Sequence, residues 1–526
     1  MQKKEKLYWR LLGGNNKNRI GANSGMAIYH YEDENGKEKT RAILVDIGVM
    51  QGDKRYSEDP ALVDCDTVIP DLTPYLKKKG EKPELPLDAI FLTHSHSDHI
   101  GAIPYFILMG YEIPKIYATP FTAKRLYQAL SNQNVPPDEW PEVMKIAPGQ
   151  SIQEGPVKVT SFSVSHSTPH SVGFYIETDE GNILHPGDFK MDDSVLWGPK
   201  FSEDQFNRIV SNGVDLLLLD STGADRDVQP ITERDVRETL RDLIEQNPNK
   251  RFVIAAMGGF EENMASFAKV AAEYDRILWA AGWYHEQALS ALAQTGLSLS
   301  DHIGHEVDVR PVSSKKQSRD LEETKPGKSV VLVTGAQGQS NSVLSRAADG
   351  KSSVVKLDKK NDIILFCAPM IPGHEGNRAK LLSDLEKKGF NVLKYPDLPL
   401  YSHAHGRLPE ILEMARLSKA KKVLPVHGSD KLRRANKEAL EKMGMKTIEA
   451  NNGESLQVTK RTVRKDPAQK QDPKLIGIKT RTGDNWQNRD YLIIQAPQPK
   501  EVGEEEIKNA NGKRRPNVFN LYPKKK

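Results

Sequence analysis

The sequence predicts an α/β protein of more than one domain, and three observations carry that reading. Short β-rich runs alternate with helical patterns along most of the chain. Its 526 residues exceed what one ordinary domain holds, and 37% hydrophobic with 28% charged residues is the balance of a globular protein. The runs Ala42–Val45, Ala89–Thr93, Leu216–Leu219, Phe252–Ala255, Val330–Val333, Ile363–Phe366 and Lys422–Val426 predict strands, because aliphatic and β-branched residues fill them. Glu262–Tyr274 and Leu408–Ala420 carry the period of helices. The stretch from Arg310 to Gly327, RPVSSKKQSRDLEETKPG, is polar and charged and predicts a surface loop. After Asn451 the apolar periodicity thins. KDPAQKQDPK and APQPKEVGEEE there predict linkers, which places a boundary near residue 451.

Several classes are excluded. No apolar run approaches the ~20 residues of a membrane span. The opening MQKKEKLYWRLLGG lacks the apolar core of a secretory signal. The two cysteines, Cys65 and Cys367, are far apart and without metal-ligand spacing, so neither a disulfide framework nor a cysteine–zinc site is expected. Reduced thiols and no leader predict a cytoplasmic protein. The net charge of +4 is unevenly spread: from Lys460 onward there are seventeen Lys/Arg against eight Asp/Glu, leaving 58 against 63 in the rest. A phosphate-bearing partner and a merely solvated tail explain that surplus equally well.

The most informative segment is DAIFLTHSHSDHIGAIPY. A β-run leads straight into His94, Ser95, His96, Ser97, Asp98 and His99. Four potential ligands within six residues suit two adjacent metal ions, with His94 and His96 presented one way and Asp98 and His99 another. One histidine there would read as an ordinary loop residue; this density does not. His166 in SFSVSHSTPHS, Asp188 in NILHPGDFKMDD and His427 in KKVLPVHGSD each follow a β-like run. Singly they are weak signals. Together with the first four they make five His and two Asp.

HSHSDH, then His166, then GDFK, then VHG resembles the ordered motif set of the metallo-β-lactamase superfamily. That resemblance implies a four-layer αββα core holding two Zn2+ ions, with Mn2+ an acceptable substitute. His94, His96 and His166 would hold one ion, Asp98, His99 and His427 the other, and Asp188 would bridge them. The long stretch between Asp188 and His427 has its own strand–helix pattern and resembles the inserted α/β domain of the β-CASP nucleases, ribonuclease J among them. GVDLLLLDSTGAD, SVVLVTGAQGQSNSVLSRAADG, NDIILFCAPMIPGHEGN and LYSHAHGRLPEILEMARLSKAKKVLPVHGSD carry that likeness.

The resemblance implies a metallo-β-lactamase domain in two parts (1–222 and 396–450), a β-CASP domain (223–395) and a short basic C-terminal extension (451–526). Asp98, Asp188, Asp220 and His405 become the candidate catalytic residues. Asp220 would hold the tautomer of His405 or His427, and His405 would protonate the leaving oxygen. Ser402, His403, His405 and the turn from Gly335 to Ser340 become the candidate substrate contacts. His427 stands where RNA-acting relatives carry His and DNA-acting ones tend to carry Val, so the implied substrate is RNA.

The implied activity is a 5′→3′ exoribonuclease of RNA processing or decay, with endonucleolytic cuts also open to it. It would act on single-stranded, 5′-monophosphorylated RNA, away from membranes and as a homodimer. The sequence departs from the family's pattern at His403-Ala404, where a Ser-Gly pair is usual, at Arg407, which replaces a small residue, and at His170, where Asp is expected. Rival readings are a β-CASP endonuclease on mRNA 3′ ends or DNA, a non-catalytic RNA-binding relative, and a small-molecule hydrolase of the superfamily.

Overall fold

The computed structural model describes residues 5–51, 65–78, 80, 83, 85–371, 373–470, 475–482, 489–495 and 518–520. The segment APQPKEVGEEE lies outside them.

Two sheets form a sandwich. The first runs Val143–Lys145, Ile116–Ala118, Ala89–Phe91, Glu38–Val45, Gly25–Glu32, Lys6–Leu11, Ser455–Val458, Val463–Lys465; the second runs Ser151–Glu154, Val157–Ser163, Val172–Glu177, Asn182–His185, Leu216–Asp220, Val423–Val426. Strict alternation sorts their side chains. Leu7, Trp9 and Leu11 face inward onto Val157, Val159, Phe174, Ile183 and Leu218 of the second sheet, while Tyr8 faces outward. The outer face of the first sheet packs on helices Ile103–Leu108 and Pro120–Asn132. That of the second packs on Glu203–Ile209, Leu408–Ser418 and Asp430–Lys442. The result is the four-layer αββα order, with each fully buried Leu or Phe contributing about 1.5–3 kcal/mol.

A third sheet is wholly parallel: Val309–Val312, Ile277–Ala281, Ser329–Val333, Arg251–Ala256, Asp362–Cys367, Asn391–Lys394. Its central strands are near-continuous hydrophobic runs because both faces are covered. Phe252 and Ile254 join one core and Val253 and Ala255 another.

All seven sequence-predicted strands form, with ends shifted by a few residues, as do both helices. The expected loop from Arg310 to Gly327 does not. It holds the end of strand Val309–Val312 and the helix Lys315–Glu323. Ser314 and Gln317 cap that helix reciprocally, and Leu321 alone supplies a buried large apolar contact. So narrow an apolar stripe is invisible to periodicity. The thinning after Asn451 also conceals structure: Ser455–Val458 pairs antiparallel with Lys6–Leu11, and Leu475–Thr482 pairs with Thr67–Pro70.

The strand directions gather the chemistry at one rim. Glu38–Val45 is parallel to Ala89–Phe91, and Asn182–His185, Leu216–Asp220 and Val423–Val426 are mutually parallel neighbours. Asp46, His94, Asp188, Asp220 and His427 all stand at or just past the carboxyl ends of these strands.

Candidate metal centre and active site

The loop Thr93–His99 is held from beneath by Asp46, a residue the sequence reading missed. Buried with φ +63, Asp46 accepts from Thr93 N (2.8 Å), Thr93 Oγ1 (2.8 Å) and His99 Nδ1 (2.7 Å). A lone Asp after a strand carries little signal in sequence. Gly48 is required on the same turn, because a Cβ there would stand 1.6 Å from the Asp98 carbonyl oxygen.

Two ligand clusters result, sharing Asp188. His96 Nδ1 lies 3.0 Å from His94 Nε2 and 3.1 Å from His166 Nε2. His99 Nε2 lies 3.1 Å from Asp188 Oδ2 and 3.6 Å from Asp98 Oδ2, and His427 Nε2 lies 3.3 Å from Asp98 Oδ2 and 3.5 Å from Asp188 Oδ1. Asp188 Oδ2 is also 3.7 Å from His94 Nε2, so this carboxylate stands between the clusters. In each group one ligand atom per residue lies within 4.8 Å of the others.

The remaining imidazole nitrogens define the tautomers. His94 Nδ1 donates to Thr93 Oγ1 (3.0 Å), His166 Nδ1 to the Ala404 carbonyl (2.8 Å), His96 Nε2 to the Gly259 carbonyl (2.9 Å), His99 Nδ1 to Asp46, and His427 Nδ1 to Asp220 Oδ1 (3.1 Å). The inward nitrogens of His94, His96 and His166 are then lone pairs facing one another at about 3 Å, an arrangement a cation relieves. Zinc–nitrogen bonds of about 2.0–2.1 Å put ligands roughly 3.3–3.4 Å apart around a tetrahedron, close to these separations. Residues and ion fit.

Electrostatics agree. Burial, reinforced by neighbouring imidazoles, holds His94 and His166 well below the ordinary histidine range, which favours the neutral form an imidazole needs to hold a metal ion. Burial also opposes charging His99 and His427, but the carboxylates of Asp188, Asp98, Asp46 and Asp220 outweigh it and push both up. Every ion-pair partner of Asp188 among the described residues is an imidazole: His94, His99, His405 and His427.

Asp220 serves both histidines at once. Its Oδ2 accepts from His405 Nδ1 at 2.8 Å while its Oδ1 accepts from His427 Nδ1 and from Thr222 N at 2.8 Å. His405 stacks on His427 with ring centroids 5.2 Å apart and stays partly open to solvent. Burial lowers its pKa, yet Asp220 and then Asp188 more than offset this and raise it.

The expected substrate contacts are placed variously. Ser402 is buried and accepts from Lys190 Nζ at 2.6 Å. His403 is buried against the Arg407 guanidinium, where burial and then that charge push its pKa down to about 3. Gly335 sits in the turn after strand Ser329–Val333 with φ +122, and Ser340 is exposed on the same turn. His170, also with φ +56, packs on Gly198.

The sequence reading quoted Lys190 only as part of GDFK. It is in fact buried among Glu233 (3.2 Å), Asp192 (3.3 Å) and Ser402, and Glu233 in turn accepts from Asn263 and Ser266 of helix Glu261–Glu273. That network joins the sandwich to the parallel-sheet unit. Asp192 is a near neighbour, but Glu233 and Ser402 are 43 and 212 residues away, so no local pattern announced the network.

Two family models match parts of the chain. Residues 61–251 match the family described as the Beta-lactamase superfamily domain, and residues 287–385 the one described as the Ribonuclease J, beta-CASP domain. Ribonuclease J of Corynebacterium glutamicum is 27% identical over 420 residues, 80% of this chain and 53% of that protein. Ribonuclease J of Mycobacterium tuberculosis is 27% identical over 397 residues (75% and 66%), and that of Sinorhizobium meliloti 28% over 465 residues (87% and 75%). The chain thus spans between about half and two thirds of the length of the first two relatives. A crystal structure from Enterococcus faecalis V583, of a protein of unknown function, matches with a TM-score of 0.58 at 17% identity, covering 86% of this chain and 100% of that one. At that identity the likeness is one of fold.

Proposed function

This chain is a ribonuclease J-like member of the metallo-β-lactamase superfamily, in its β-CASP branch, and from that membership we propose that it hydrolyses phosphodiester bonds of single-stranded RNA at a two-ion centre. The αββα sandwich is its metallo-β-lactamase core and the parallel sheet its β-CASP insertion. The proposed divisions at residues 222 and 395 are supported by the separate sheets, whereas Ser455–Val458 and Val463–Lys465 extend the first sheet of the sandwich past the division proposed at 450. The reading rests chiefly on one observation: two imidazole–carboxylate clusters share Asp188 and stand beside the His405–Asp220 pair.

His94, His96 and His166 would hold one divalent ion, Asp98, His99 and His427 the other, with Asp188 between them; zinc suits the His-rich set and manganese is acceptable to it. The ions supply an activated water and positive charge against the charge that develops on phosphorus. Asp98 and Asp188 orient the attacking side. His405 keeps Nδ1 bound to Asp220, which leaves Nε2 to give its proton to the departing oxygen. Asp220 and Asp46 are positioning residues that fix imidazole tautomers.

The proposed action is 5′→3′ and favours a 5′-monophosphate. A cytoplasmic homodimer is the setting we propose; no helix among the described residues is long and apolar enough to cross a membrane. An endonuclease is the second reading. It is favoured by the burial of Ser402 and His403, which are already engaged with Lys190 and Arg407 rather than open to a terminal phosphate.

The test is cleavage of labelled single-stranded RNA carrying either a 5′-monophosphate or a 5′-triphosphate, with added metal, with chelator, and with an Asp98→Ala, His99→Ala double variant. Metal-dependent release of mononucleotides, faster from the monophosphate and lost in the variant, is expected. Internal fragments irrespective of the 5′ end would select the endonuclease. No cleavage with any metal would refute the substrate class.

A further inference from the structure

The parallel sheet turns its carboxyl edge toward the ligand clusters, since the Gly259 carbonyl, in the turn after strand Arg251–Ala256, receives the His96 Nε2 proton at 2.9 Å. Parallel strands end on one edge, and ligands of such sheets bind there. The next strand, Ile277–Ala281, ends on that edge too and passes through Gly282 (φ +117) into helix Trp283–Gln294. Trp283 opens this helix with 56% of its surface exposed, the one aromatic among the large hydrophobic side chains exposed among the described residues. Tyr284 stands edge-on to it, ring centroids 6.1 Å apart at 82°.

Tyr284 reaches the metal centre. A Cβ on Gly258 would stand 2.4 Å from the Tyr284 ring, and one on Gly259 would stand 3.4 Å from its hydroxyl and 3.5 Å from His96 Cδ2. The tyrosine hydroxyl and the His96 imidazole therefore border the same space over the Gly258–Gly259 turn, which only side-chain-free residues leave open. Helix Pro120–Asn132 packs directly on helix Trp283–Gln294, with Gln128 Nε2 donating to the Gln287 carbonyl at 2.9 Å, and its Arg125 lies over the Tyr284 ring at 4.9 Å. An exposed indole, an aromatic partner and a guanidinium are thus grouped beside a ligand of the first cluster. Exposed aromatics flanked by a cation are how single-stranded nucleic acids are held without regard to sequence: the base stacks and the cation meets the phosphate.

We propose that Trp283 forms a nucleobase-stacking site, backed by Tyr284 and beside His96, with Arg125 contacting the adjoining phosphate. The site holds the strand next to the bond being cut. It rests on the reading of the substrate as single-stranded RNA. Because a π-face is common to all four bases, the site contributes grip and register rather than sequence preference.

The test uses the purified holoprotein and a labelled, phosphorothioate-linked single-stranded RNA that resists hydrolysis, with binding followed by fluorescence anisotropy. Trp283→Ala is expected to weaken binding about 5- to 100-fold, and Trp283→Phe no more than about 3-fold. Arg125→Ala weakens binding and lowers the slope of log affinity against log salt by about 0.7. A series of the same RNA with one abasic position at a time then identifies the stacked base. At one position the abasic RNA binds wild type more weakly by the same factor, and binds Trp283→Ala no more weakly than the intact RNA does. Unchanged binding by Trp283→Ala, or an abasic loss as large in that variant as in wild type, overturns the stacking site alone. Failure of wild type to bind any of these RNAs overturns it together with the RNA reading.

Discussion

The sandwich rim that forms the floor of the candidate site and the carboxyl edge of the parallel sheet that forms its wall are built on opposite principles. On the floor, each ligand imidazole is buried or nearly so, and its outward nitrogen is fixed by a carboxylate, carbonyl or hydroxyl: Asp46, Asp220, Ala404, Gly259 or Thr93. On the wall, strands end in glycine turns, and Trp283 stands in solvent. A floor so constrained can hold one arrangement of charge. A wall so open can hold many sequences of substrate. Chemistry and grip are therefore separable, and substitutions on each side should fail differently.

The largest effect is expected on the floor, where Asp188→Ala removes the carboxylate common to both clusters. Cleavage should fall by at least about 10³-fold with loss of bound metal read by mass spectrometry. His405→Ala should lower kcat about 10²- to 10⁴-fold while metal content is kept, because the role proposed for it is proton transfer. Asp220→Asn should cost about 10- to 100-fold through the misplaced tautomers of His405 and His427. If His405→Ala instead lost metal, floor and general acid would not be distinct parts.

The joint between the two units comes next. Lys190→Met leaves Glu233 and Asp192 buried without their cation and should destabilise the protein by about 3–5 kcal/mol, read as a lower denaturation midpoint. A variant as stable as wild type would show that the joint does not depend on this charge.

The smallest effect lies behind the wall. His285 is 4% exposed, and burial pushes its pKa down to about 4. A histidine depressed on folding contributes stability that is present above about pH 6.5 and is lost as pH falls toward 4, because the unfolded chain takes the proton first. His285→Leu should flatten this acid limb by up to about 3 kcal/mol, without changing cleavage at neutral pH. An acid limb identical to wild type's would contradict the burial account.

The two regions also differ in how plainly the sequence declared them. His94, His96, Asp98 and His99 lie within six residues, and His166, Asp188 and His427 each follow a β-like run, so the residues that gather into the two clusters were visible as density and order. Four strands of the sandwich and three of the parallel sheet were visible as aliphatic, β-branched runs, and their layering was implied only by the family resemblance. What stayed hidden depends on distant pairing. Asp46 meets His99 across fifty-three residues and Lys190 meets Ser402 across two hundred and twelve. Helix Lys315–Glu323 has one large buried apolar residue, and Ser455–Val458 becomes a strand because Lys6–Leu11 offers it an edge. Trp283 reads in sequence as one more helix residue; only its placement on the sheet's carboxyl edge gives it a role.

The most direct test of the two-ion account measures metal content and RNA cleavage on the same samples, as ions are restored stepwise to chelated protein. The account predicts no cleavage of single-stranded RNA below one ion per chain and full activity only as the second site fills, with Asp188→Ala failing at both. Full cleavage with a single ion, or two bound ions and intact RNA, would contradict it.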